Sequence, residues 1–162
     1  MKFKFFALFV LLTMKAYSED SFVFPEEHSW SAVTLGTSGS PSTFKGTVSL
    51  SGILISQNIS HPEGDYIRIT FQPDSAIEET FPVYVDSYAP KVLSIFNNQD
   101  ISDLLELAPD NGANAQARAT LDISGFDVLI DCNNVIYAIN ATVLQSGVPS
   151  QASLQDRSPA GC

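Results

Sequence analysis

Two histidines stand among carboxylates in this chain: His28 in PEEHSW beside Glu26 and Glu27, and His61 in SHPEGD beside Glu63 and Asp65. Imidazole and carboxylate oxygens together make ligands for a divalent cation. The same spacing is that of solvated loops, and neither an HExxH helix nor a calcium-loop pattern is present. Neither cluster is read as a metal site. Nucleophilic chemistry is no better supplied. Serines are plentiful, yet GxSxG, the phosphate-binding loop and the dinucleotide fingerprint are all missing, and no cofactor is expected. No histidine stands in a recognisable arrangement with either cysteine. The eighteen acids read as a solvated surface. The reading is a non-enzymatic protein, the alternative being a hydrolase whose acids meet only in the fold.

The first eighteen residues, MKFKFFALFVLLTMKAYS, read as an export signal. Lys2 and Lys4 precede an apolar run from Phe5 to Met14, and Ala16 and Ser18 are the small residues a signal peptidase reads. That run is too short to cross the roughly 30 Å of a bilayer core. A secreted or periplasmic protein without membrane insertion is expected. Loss of Lys2, Lys4 and Lys15 leaves five cations against eighteen acids. Such a balance repels polyanions, so nucleic acid is excluded as a partner. In an oxidising compartment a lone pair of cysteines is commonly bridged, and Cys132 and Cys162 are expected to join. The loop closed would stabilise by roughly 3 kcal/mol on the chain-entropy model.

Residues 19–42 form an irregular N-terminal segment with short edge strands at FVFP and around Trp30 to Leu35. From Thr43 the period is two. In FKGTVSLSGILIS, Val48, Leu50 and Leu54 alternate, and Gly52 marks a strand bent at its middle. In DYIRITF, Ile67, Ile69 and Phe71 face one way and Tyr66, Arg68 and Thr70 the other. FPVYVDS sets Phe81, Val83 and Val85 against Pro82, Tyr84 and Asp86. The period changes over 89–108, where Ile101, Leu104, Leu105 and Ala108 make a helical stripe behind Asp100 as N-cap. Strands return in ATLDIS, in GFDVLID and, after the Asn133-Asn134 turn, in VIYAINATVL. A polar tail follows over 146–162.

These stretches, in this order, resemble an OB-fold: a partly open Greek-key barrel over 43–145, of five to seven strands, with one helix between the third and fourth core strands. A β-sandwich with one helix is the alternative. The resemblance is to small exported domains of this kind and is one of topology. It implies that extended ligands lie on the outer face of the second and third strands, here Tyr66, Arg68, Thr70 and Tyr84. Tyrosine offers flat apolar area with a polar tip, and arginine a bidentate grip on a carboxylate. The expected function is an exported binding or interaction module for a glycan, a peptide or a partner protein. An accessory subunit of an envelope assembly is the alternative. Asn58-Ile-Ser and Asn140-Ala-Thr are acceptor tripeptides that matter only in a eukaryotic chain, and such tripeptides arise by chance in a sequence rich in Ser and Thr.

Overall fold

A computed structural model describes residues 17–37, 39–59, 66–85, 90–95, 114–131, 134–147 and 150–152, with positions 62 and 64. The chain is mainly β. Its strands in chain order are β1 (Phe22–Val23), β2 (Ser31–Thr34), β3 (Ser42–Ile59), β4 (Tyr66–Pro73) and β5 (Val83–Tyr84). They continue with β6 (Leu93–Ile95), β7 (Asn114–Asp131), β8 (Asn134–Ser146) and β9 (Ser150–Ala152). Among the described residues, helix is confined to two short 3₁₀ turns, Glu19–Ser21 and Ile77–Glu79.

One sheet runs β2-β3-β4-β6-β8-β7-β9, and β7 pairs back onto β3. That last pairing closes β3, β4, β6, β8 and β7 into a five-stranded ring. Every pairing in it is antiparallel except β6 with β8. β1 and β5 make a separate ribbon. The helix expected over 101–108 falls between β6 and β7, outside the described residues.

Burial follows the alternation, with one change of phase. In β7 the interior residues are Ala115, Ala117, Ala119, Leu121 and Ile123, then Phe126, Val128 and Ile130. The step from odd to even positions coincides with a register shift against β8 between Ile123 and Gly125. An extra residue there re-aims the strand so that both halves face inward. The strand runs on through Gly125, where a Cβ would stand 2.9 Å from the Phe44 carbonyl oxygen.

The bend of β3 lies elsewhere than expected. Its register shifts against β7 between Lys45 and Val48, not at Gly52. Gly52 instead lets β4 come close, because a Cβ there would run into the backbone carbonyl of Gln72. Inside the barrel, Phe44 stacks on Phe126 with ring centroids 4.8 Å apart, and Phe126 in turn stacks on Tyr137 at 5.9 Å. Trp30 stacks on Phe81 at 5.2 Å and donates its indole N–H to the Thr80 carbonyl at 2.6 Å. The segment before β3 is thus pinned to the barrel.

Two strand expectations are corrected. FPVYVDS is not the third barrel strand, since among its described residues only Val83 and Tyr84 are in a strand and they pair with β1. Phe81, Pro82 and Tyr84 are all buried, so neighbouring positions sit in the interior together instead of alternating. The third barrel strand is β6, inside the stretch read as changing to helical period. Three residues are too few to show a period. The tail also differs: β9 pairs with β7 through Ala115↔Gln151 and Gln116↔Ser150.

Candidate functional site

Tyr66, Arg68 and Thr70 occupy alternate positions on β4, and register carries their face across the barrel wall. Thr70 lies opposite Ser94 of β6, and Ser94 lies beside Ala138 of β8, so the three form one cross-strand row. Thr70 and Ser94 of that row line a groove. The groove, of about 540 Å³, runs over this face, within the size range of ligand pockets. Tyr66, Arg68, Pro90, Val92, Ser94 and Ile136 are among the residues that border it. Ile67, Ile69, Ile95 and Val135, on the opposite, core-side phase of the same strands, also border it and add further aliphatic surface.

Ile67, Val92 and Ile136 are large apolar residues left about two-fifths exposed, and Tyr66 is nearly half exposed. The Arg68 guanidinium donates to the Tyr66 hydroxyl at 3.2 Å. Among the described residues no Asp or Glu borders the groove, although the chain carries eighteen acids against eight bases. Apolar walls with a few polar groups and, among the described residues, one cation have the make-up of a site for an extended apolar ligand.

Tyr84, the fourth residue expected on this face, is elsewhere. It is 8% exposed, and its ring makes edge contacts with Tyr17 at 5.5 Å and Phe22 at 5.8 Å. The reason is the pairing of β5 with β1, which turns its side chain into the core. The structure brings Tyr66, Arg68 and Thr70 together and takes Tyr84 away. In its place come Val92, Ser94 and Ile136, which sequence reasoning did not single out. Ile136 had a signal, being an apolar residue on the solvent phase of a well-alternating strand. Val92 and Ser94 had none.

Behind the groove, Tyr137 ties β8 to the segment before β5. Its hydroxyl donates to the Pro82 carbonyl at 3.0 Å and accepts the Tyr84 backbone N–H at 3.3 Å. Burial pushes its phenol up to about 12, against the smaller opposing effect of the Tyr84 hydrogen bond.

His28 is engaged locally: its Nδ1 accepts the Trp30 backbone N–H at 3.2 Å, and its ring lies 4.9 Å from that of Phe24. Among the described residues, no three of His, Cys, Asp and Glu gather as a metal site would require. His61, Cys132 and Cys162 lie outside the described residues. Comparisons with protein-family models, with curated proteins and with solved structures find no match for the chain.

Proposed function

We propose that this chain is an exported, non-enzymatic binding module that holds an extended apolar segment of a peptide or partner protein in the groove over β4, β6 and β8. One observation carries the reading: a groove on a strongly acidic chain whose walls, among the described residues, are aliphatic and hold no acid. Aliphatic walls favour a peptide over a glycan, whose rings stack on aromatic faces and whose hydroxyls need many polar partners. The OB-like ring supports the location, because the face of its second and third strands is where ligands lie in such barrels. Export rests on the charged and apolar N-terminal run. The test is equilibrium binding of apolar peptide pools to the wild-type chain and to Ile136→Asp. A charge placed in the groove wall is expected to abolish saturable binding, and an unchanged isotherm would refute the site.

A second reading, an accessory subunit of an assembly, is favoured by the ribbon. Val23 is 61% and Val85 is 50% exposed, and the β1–β5 register puts both on one face. Sedimentation of Val23→Asp against wild type within the assembled complex would separate the two.

A further inference from the structure

The groove has two unlike ends. Arg68 and Tyr66 lie to one side of the Thr70–Ser94–Ala138 row, where β4 begins. Because β6 runs antiparallel to β4 and parallel to β8, Val92 and Ile136 lie to the other side. The ends are four strand positions apart, about 13 Å at about 3.3 Å per residue. At one end is a cation beside Ile67 and Ile69, at the other an aliphatic patch without one among the described residues. Among the described residues, no carboxylate makes a salt bridge with Arg68, whereas Arg118 is bridged to Asp74. A guanidinium presents five N–H donors in a fixed fork, and the hydrogen bond to Tyr66 engages one nitrogen of it.

Resting on the binding reading above, we infer that the groove recognises the free C-terminal end of an apolar peptide, with the terminal carboxylate on Arg68 and the preceding side chains toward Val92 and Ile136. About four extended residues span the distance. The aliphatic walls select apolar side chains, so the terminal carboxylate is the one anion such a segment carries. The middle of the groove decides between a peptide and an acyl chain. Ser94 puts a partly exposed hydroxyl there, beside the buried Thr70, and a hydroxyl exchanges hydrogen bonds with peptide amides. A methylene chain laid over it would bury it without a partner, at a cost.

The test uses two pools of fluorescein-labelled hexapeptides, their last four positions drawn from valine, isoleucine, leucine and phenylalanine. One pool ends in the free acid and the other in the amide. By fluorescence polarisation, the acid pool is expected to bind the full chain about tenfold more tightly than the amide pool, the worth of one charge-assisted contact. Arg68→Gln is expected to erase that difference while leaving the amide's affinity in place. Ile136→Asp is expected to weaken both pools, with circular dichroism verifying that each variant is folded. Equal affinities for acid and amide, both weakened by Ile136→Asp, would overturn the C-terminal specificity and leave the groove reading standing. Absence of saturable binding by either pool, or binding indifferent to Ile136→Asp, would overturn the groove reading and this inference with it. Displacement of the acid pool by decanoate as effective as by unlabelled peptide acid would overturn the choice of a peptide.

Discussion

Removing one oxygen, in Tyr137→Phe, tests how the barrel holds the segment that lies behind the groove. The hydroxyl serves a buried acceptor and a buried donor at once, the Pro82 carbonyl and the Tyr84 N–H. Phenylalanine keeps the ring stack on Phe126 and leaves both backbone groups without that partner. An unsatisfied buried group costs about 1–3 kcal/mol, and removing the phenol's own desolvation returns part of it, so a net loss of about 2–3 kcal/mol is expected at neutral pH. The variant also changes the alkaline limb. The phenol's folded value of about 12 lies above its ordinary 10.0, so the native state holds the proton more tightly than the unfolded chain. Stability from this residue is therefore complete below pH 10 and lost as pH rises toward 12. The slope is about 1.4 kcal/mol per pH unit in that window, close to 3 kcal/mol in all. Phenylalanine has no such limb, so the gap between wild type and variant should narrow above pH 10. Urea unfolding followed by tryptophan fluorescence at half-unit steps from pH 7 to 11.5 gives both quantities. A variant within about 0.5 kcal/mol of wild type at pH 7, the scatter of a neutral surface change, would refute the hydrogen-bond reading. A gap that stays constant from pH 9 to 11.5 would refute the buried, proton-retaining phenol.

Other substitutions read other parts of the fold. Gly52→Ala should cost about 2–3 kcal/mol by urea unfolding, because its Cβ meets the Gln72 carbonyl and lies 2.7 Å from the Phe71 ring. Trp30→Ala should lose about 3–5 kcal/mol, as it empties the contacts with Phe81 and Phe126 and frees the Thr80 carbonyl. Arg118→Gln should change stability by less than about 1 kcal/mol, since the Asp74 pair has side chains 64% and 46% exposed. Ser56→Ala should be neutral or slightly stabilising in the same assay, because among the described residues the buried Ser56 hydroxyl has no hydrogen-bond partner.

Much of the barrel was legible because long half-buried strands repeat every two residues. β3, β4, β7 and β8 each show that repeat, but the bulge near Gly125 that re-aims β7 was not read from it. The short pieces were not legible. β6 is three residues long, and β9 was read as tail because a polar strand on a sheet edge has no apolar face to display. For the groove, alternation in β4 was enough to put Tyr66, Arg68 and Thr70 on one face. Tyr84 shares their residue type and local pattern, yet its strand pairs with β1 and its ring is buried.

The sequence by itself determined the β class, the phase of each long strand and the surplus of acid, since these depend on neighbours along the chain. Only the tertiary structure decided which strand became the third wall of the barrel. It also decided which apolar residues stayed exposed and that one arginine would stand in a groove among aliphatic side chains. Those outcomes depend on register between strands distant in sequence, where a shift of one residue turns every side chain to the opposite face.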